Sequence, residues 1–402
     1  MIDRILIIGA GQAAAQAVAT LRAEGCAGAL AIVGEEPYAP YQRPPLSKTY
    51  LAGTFDRERL FLKPEAFYAE ARCELILGVA ATEIGRAAKS VALADGRKLA
   101  FDRLLIATGS RVRKIKVPGA ELDGVHYLRS IEDVDRLRPA FKTSKSLAIV
   151  GGGYIGLEVA AVARKCGLAV TVFEALDRVM ARAVSKPVSD FYERVHREAG
   201  VNFLLNTGVE AFEGKAHLEA VRAGGKSHPF DLALVGIGIV PNSELAEQAG
   251  LECRDGIVVD QFCRTEDPAI FAAGDVTRHH GRDGAEMRLE CVQNAIDQAK
   301  HAALAMSGRP TPYREVPWFW SDQYDLKLQI AGLAAAGDEI VLRGDPAGRK
   351  FAVFHLRHGR VAAVEAVNAA PEYIVGRKLI ADGAAVPPAR LADTSIPMKG
   401  IA

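Results

Sequence analysis

The chain opens on a short unbroken apolar run, Ile5-Leu6-Ile7-Ile8, that meets glycine. Such a run reads as a strand buried on both faces, as in a parallel sheet. Ala13 to Glu24 then reads as an alanine-rich helix ended by Gly25, and a second apolar run, Leu30–Val33, closes in Gly34-Glu35-Glu36. The same pattern returns further on. Ser146–Val150 is apolar, a helix starts at Tyr154 with Ile155, Val159 and Val162 on one face, and Ala169–Phe173 ends at Glu174. From Phe319 the pattern changes. Lys327–Ile330, Glu339–Arg343, Lys350–Leu356 and Val361–Ala366 read as strands, with turns at Asp338, Gly344-Asp345-Pro346 and His358-Gly359, and Pro371–Ala381 reads as a helix.

The turns between these elements carry chemistry. Gly9-Ala10-Gly11-Gln12-Ala13-Ala14 is a Gly-x-Gly-x-x-Ala turn between strand and helix. Gly9 makes the tight turn, Gly11 lets a pyrophosphate approach the backbone, and Ala14 allows close helix–strand packing. The helix start offers N–H groups and a positive dipole end to phosphates, and Glu35 at the end of the next strand suits a ribose. The second pattern is complete: Gly151, Gly153 and Gly156 in Gly-x-Gly-x-x-Gly, followed by Glu174. A carboxylate there favours the 2′-hydroxyl of NADH over the 2′-phosphate of NADPH. Arg178 and Arg182 lie close in sequence and soften that preference. Two such folds imply two dinucleotides, one a resident flavin and the other an exchanging nicotinamide. The glycine patterns alone do not say which is which.

Composition narrows the class. With 402 residues, 49% hydrophobic, the chain is long enough for two to four domains. A net charge of +1 carries no global nucleic-acid footprint. Met1–Arg4 runs straight into the apolar stretch without a cleavage pattern, so no secretory signal is expected, and no apolar run is long enough for a transmembrane helix. Cys26, Cys73, Cys166, Cys253, Cys263 and Cys291 are scattered, with no Cys-x-x-Cys pair. That suggests reduced thiols and a cytoplasmic setting. The histidines show no metal-ligand spacing, His279-His280 reads as loop, and no metal is expected.

Further segments carry a resemblance. Leu104-Leu105-Ile106-Ala107-Thr108-Gly109, Val235–Asn242 with Gly238, and Ile270-Phe271-Ala272-Ala273-Gly274-Asp275 are similar to the motifs of two-dinucleotide flavoprotein reductases, in the same order. The resemblance assigns FAD to the first fold and NADH to the second, with Asp275 on the ribityl chain. The fold class expected is α/β: two Rossmann-like dinucleotide-binding domains, glutathione-reductase-like, plus a C-terminal α+β domain. Residues 1–110 and 240–318 would form the FAD domain, 111–239 the NAD domain, and 319–402 the C-terminal domain.

Tyr41-Gln42-Arg43-Pro44-Pro45-Leu46-Ser47-Lys48 holds no cysteine where disulfide reductases of this superfamily carry a redox pair. This run, with Gly152–Glu158, Glu290–Ala295 and Trp318–Tyr324, closely resembles the FAD-dependent NADH:ferredoxin reductases of bacterial oxygenase systems, the putidaredoxin reductase and biphenyl-dioxygenase ferredoxin reductase family. The resemblance implies non-covalently bound FAD, NADH as substrate, and a [2Fe–2S] ferredoxin as partner, in a monomer or homodimer. It places Ala14, Glu35, Arg43, Pro45, Lys48, Ala81, Thr108, Gly109, Arg129, Gly274, Asp275 and Val292 at FAD. It places Gly151, Gly153, Ile155, Gly156, Glu158, Glu174, Arg182 and Gly238 at NADH. Lys48 would stabilise negative charge on the reduced flavin and pair with Glu158, and Trp320 would pack beside the ring. Arg309, Arg314 and Lys327 would form a basic rim for an acidic ferredoxin. The competing classes are an NADH oxidase or peroxidase, and an NADH-binding flavoprotein whose redox state controls partner binding.

Overall fold

The computed structural model describes residues 4–282 and 284–401; the lead-in Met1–Asp3 lies outside them. The chain divides into two compact units. One comprises Met1–Gln42, Arg57–Arg111 and Ile239–Pro317, the other Arg43–Asp56, Val112–Gly238 and Trp318–Ala402.

The first unit is built on a five-stranded sheet in the order Ile270–Ala272, Arg103–Ile106, Arg4–Ile8, Ala29–Gly34, Cys73–Leu77. Every neighbouring pair in it is parallel. Alternate side chains of the first strand enter different cores. Ile5 and Ile7 pack with Ala14, Val18 and Leu21 of helix Gln12–Ala23 and with Ala299, Ala302 and Ala303 of helix Val292–Met306. Leu6 and Ile8 pack with Ile84, Val91 and Leu93 of a three-stranded antiparallel meander, Ala81–Gly85, Ser90–Leu93 and Lys98–Ala100. Burial on both faces is why the strand reads as an unbroken apolar run.

The second unit repeats this plan. Its five-stranded parallel sheet runs Val125–His126, Leu232–Val235, Ser146–Val150, Ala169–Phe173, Val201–Leu204. A three-stranded meander, Val209–Glu213, Ala220–Ala223 and Lys226–Pro229, again precedes the returning strand. The C-terminal portion adds a five-stranded antiparallel sheet in the order Trp318–Gln323, Leu326–Gly332, Arg360–Val367, Lys350–Arg357, Glu339–Asp345, packed by helix Ala370–Asp382.

Two sequence expectations need correction, and a third element shows where its cover ends. Gly344 and Asp345 belong to the strand, and the turn falls on Pro346–Gly348. His279 lies in strand Thr277–His280 and is buried at 3% exposure. Ile155 does not share the burial of Val159 and Val162: it is 43% exposed while they are buried. Its helix, Tyr154–Lys165, buries Gly156 to Ala163 almost all round. It packs on its own sheet, on strand Trp318–Gln323 and on the Pro44–Ser47 turn, and only its two ends are left uncovered.

His196 is fully buried and His279 nearly so, and burial pushes each imidazole down to about 4. Both stay neutral in the folded chain while the unfolded chain protonates near 6.5. The unfolded state therefore binds more protons between pH 6.5 and 4, and stability is lost as pH falls through that window. Each histidine is expected to cost about 2 kcal/mol between pH 6.5 and 5. Unfolding measured at pH 7.5 and 5 should show the loss, and His279→Gln should remove part of it; a flat profile would contradict it.

Candidate functional site: two dinucleotide cradles and a buried lysine–glutamate pair

The first cradle lies in the first unit. Gly9 has φ +109°, and a Cβ there would meet the Ala107 carbonyl oxygen at 2.1 Å, so only glycine lets the two strand ends cross so closely. At Gly11 a Cβ would meet nothing within 4 Å. Gly11 caps helix Gln12–Ala23 without a side chain, and the first turn holds no acidic residue. The helix start therefore keeps N–H groups and a positive dipole end for an anion. Ala14 is fully buried where the helix meets the strand. Glu35 is exposed, while its neighbour Glu36 accepts the Tyr41 hydroxyl at 2.5 Å.

Around this cradle, the Thr108 hydroxyl donates to the Asn242 carbonyl at 2.8 Å, and the Asn242 N–H donates to the Gly109 carbonyl at 2.9 Å. The Ser110 hydroxyl donates to Asp275 Oδ2 at 2.8 Å. The Gly274-Asp275 turn is pinned from below by Gln298, whose Oε1 accepts from the Gly274 N–H and the Thr277 hydroxyl, both at 2.8 Å. Its Nε2 lies 3.2 Å from His279 Nδ1, and Tyr313 donates to neighbouring Asn294 at 2.9 Å. Ala81 begins the meander and Val292 begins helix Val292–Met306; both are half-buried.

The second cradle repeats the geometry. Gly151 has φ +105°, and a Cβ there would meet the Gly236 carbonyl oxygen at 2.4 Å. Gly153, again an uncapped helix start, would place a Cβ in open space, whereas a Cβ on Gly156 would strike the Gly151 carbonyl oxygen at 2.3 Å. Glu174 ties the next strand end to this turn: Oε2 accepts from the Gly152 N–H at 2.7 Å and Oε1 from the Leu176 N–H at 2.8 Å. Arg178 is committed to the carbonyls of Val184 and Ala181, at 3.0 and 2.8 Å. Arg182 is exposed, as is Gly238, whose carbonyl accepts from the Arg113 N–H.

The third feature, also in the second unit, is the pair Lys48–Glu158. Two prolines stiffen the 3-10 turn Pro44–Ser47, and Lys48 ends it. Lys48 Nζ lies 2.8 Å from Glu158 Oε2, with Glu158 only 2% exposed. The Ser47 hydroxyl donates to the same oxygen at 2.5 Å, and the Ser321 hydroxyl donates to Oε1 at 2.6 Å. A buried carboxylate is costly unless paired and hydrogen-bonded, and here both oxygens are. Arg43 donates to the Arg129 carbonyl at 2.6 Å. Pro45 and Trp320 are half-buried, with Trp320 stacked obliquely on Trp318 at 5.6 Å between centroids. Of the expected basic rim, Arg309 pairs with Glu24, while Arg314 and Lys327 are exposed.

Ser47, Ser321, Gln298, Thr277 and Asn294 were not singled out from sequence. The signal for Ser47 and Ser321 was their place inside the motif runs Tyr41–Lys48 and Trp318–Tyr324. Burial disfavours the thiolate at four cysteines: it pushes Cys73 up to about 12 and Cys253 and Cys291 up to about 11, and raises Cys263 as well. Among the described residues no group of His, Cys, Asp and Glu is placed to hold a metal, and no helix is long and apolar enough to cross a membrane.

These cradles fit two dinucleotides, and comparison with known proteins agrees. Residues 3–299 match the family model described as pyridine nucleotide-disulphide oxidoreductase, and residues 318–402 match the model described as reductase C-terminal. The chain is 46% identical to the probable ferredoxin reductase CtmF of Castellaniella defragrans, over 100% of this chain and 99% of that one. It is 42% identical to the ferredoxin–NAD(+) reductase component of the anthranilate 1,2-dioxygenase system of Burkholderia cepacia, over 99% and 98%. Among solved structures, the covalent putidaredoxin reductase–putidaredoxin complex matches with TM-score 0.96 and 40% identity, over 99% and 98%. With both its dinucleotide folds and its antiparallel C-terminal sheet accounted for, the chain belongs to the pyridine nucleotide-disulphide oxidoreductases that carry a reductase C-terminal domain, a family that binds FAD and NAD(H).

Proposed function

We propose that this chain is an FAD-dependent ferredoxin–NAD(+) reductase, taking a hydride from NADH and delivering single electrons to a [2Fe–2S] ferredoxin of a bacterial monooxygenase or dioxygenase system. The observation that carries the reading is the company its two dinucleotide cradles keep. They share the chain with an Arg-Pro-Pro-Leu-Ser-Lys turn that offers a hydroxyl and an ammonium to buried Glu158, where a disulfide reductase offers thiols. FAD, when bound, accepts two electrons together and releases them singly, which suits a one-electron carrier without a thiol relay. The upward shift of the Cys73 and Cys291 thiols speaks against thiolate chemistry on peroxide at these two positions.

Each residue has a task in this proposal. Gly9, Gly11 and the N–H groups of helix Gln12–Ala23 hold the FAD pyrophosphate, and Glu35 holds its ribose. Asp275, oriented by Ser110, holds the ribityl chain. Lys48 stabilises negative charge on the reduced flavin, and Glu158 fixes where that ammonium sits. Gly153 and its helix start hold the NADH pyrophosphate, and exposed Ile155 offers it an apolar edge. NADH is preferred over NADPH because Glu174 stands at the strand end and Arg178 is already engaged with backbone carbonyls.

Anaerobic stopped-flow tests the whole reading. NADH should bleach the yellow holoprotein rapidly, and a [2Fe–2S] ferredoxin mixed in next should be reduced one electron at a time. Bleaching without transfer to any such ferredoxin would sink the partner; no bleaching would sink the enzyme.

The cradles make separable predictions. Gly11→Ala should weaken FAD binding tenfold or more, since a methyl stands where charge-assisted N–H bonds form, and Gly153→Ala should raise the KM for NADH while FAD content stays normal. Apo-protein stability should change by less than about 0.5 kcal/mol in both, because neither methyl meets protein. Glu174→Gln should shrink the ratio of kcat/KM for NADH over NADPH by about tenfold. An unchanged ratio would remove Glu174 from cofactor choice.

A further inference from the structure

Strand Trp318–Gln323 presents alternate residues to the nucleotide-binding part of its own unit. Phe319 stacks on Tyr154 at 4.5 Å between centroids, the Ser321 hydroxyl donates to Glu158, and Gln323 Oε1 lies 2.8 Å from His196 Nε2. The spacing matches: two residues along a strand cover about 6.6 Å, and positions four apart on a helix, such as Tyr154 and Glu158, are neighbours at similar distance. An apolar seam would serve simple docking, yet Ser321, Gln323 and His196 are all at most 1% exposed.

Their hydrogen bonds run in one direction. The Tyr324 hydroxyl, 3.2 Å from His196 Nδ1, donates to it. His196 is neutral, so its Nε2 carries the proton and donates to Gln323 Oε1. Gln323 Nε2 donates to Ser321 Oγ at 3.2 Å, and Ser321 has one proton left, which goes to Glu158 Oε1 at 2.6 Å. Each donor polarises the next, and the line ends on a carboxylate whose other oxygen meets Lys48. The amide of Gln323 makes this an orienting chain and not a route for protons.

We infer that Ser321, backed by Gln323, His196 and Tyr324, is a positioning residue for the Lys48–Glu158 pair and thereby helps set how strongly this chain favours the reduced flavin. The inference rests on the proposed role of Lys48. With Oε1 held by Ser321, Glu158 keeps its orientation and shares its charge between two sides. Without that donor the carboxylate turns its charge to Lys48, and less of the ammonium's field reaches the flavin.

The test is the flavin midpoint potential of the FAD-loaded protein, measured by dye-coupled reductive titration with neither NADH nor ferredoxin present. Ser321→Ala should lower the potential, so that the reduced-to-oxidised ratio at a fixed dye poise falls about threefold or more. Gln323→Leu should act in the same direction to a smaller extent, and it stands in for Ser321→Ala if that variant does not fold. In a Lys48→Met background neither change should shift the potential further, since the effect passes through Lys48. An unshifted potential in both single variants with normal FAD content, or an undiminished shift in the Lys48→Met background, overturns the inference. A wild-type protein that fails to reduce ferredoxin sinks the functional reading and leaves this potential measurable.

Discussion

Glu158 must be buried as a carboxylate, and much of the second unit answers to that requirement. A helix wrapped on nearly every side leaves no water to solvate a charge. The solvation is replaced by Lys48 and Ser47 from the Pro44–Ser47 turn and by Ser321 from the C-terminal sheet. These contacts tie two segments far apart in sequence to the helix that carries Glu158, so the charge also acts as a registration mark. The proline turn, helix Tyr154–Lys165 and the antiparallel sheet all meet at this carboxylate.

The chain uses one plan twice. In each unit a glycine at positive φ brings a strand end against the returning strand, a second glycine leaves open space at a bare helix start, and a third small residue seats the helix. The copies differ at the third position, where one has Ala14 and the other Gly156. A Cβ on Gly156 would strike a backbone carbonyl, while Ala14 carries its methyl in a fully buried place. They differ again in the acidic residue after the second strand: Glu174 is bound into its turn, and Glu35 is exposed.

Much of this was legible in sequence because it depends on local backbone rules. Strands Ser146–Val150 and Ala169–Phe173 and the glycine turns follow from unbroken apolar runs meeting residues that alone tolerate the close crossings. The C-terminal strands showed by their turns. Strand Trp318–Gln323 did not, because Trp318, Phe319 and Trp320 are bulky on both faces and mask the alternation. The short meanders were missed too, being only three to five residues per strand. Periodicity put Ile155 on one face with Val159 and Val162, but it cannot see where along a helix that face is covered. Lys48 was expected beside Glu158 through the resemblance, but the two hydroxyl donors were not singled out: Ser47 and Ser321 stand 111 and 163 residues away, and only the folded chain brings them to it.

The match of strand spacing to helix spacing bears on how such reductases diversify. Phe319, Ser321 and Gln323 meet Tyr154, Glu158 and His196 in step, so the C-terminal sheet and the nucleotide-binding part fit only as a matched set. A one-residue insertion in the strand would turn its inward set to the other face. Shuffling a C-terminal sheet between relatives would leave a buried carboxylate short of a donor unless the serine came with it. In this chain the two parts are therefore a matched set, and a change in one calls for a matching change in the other.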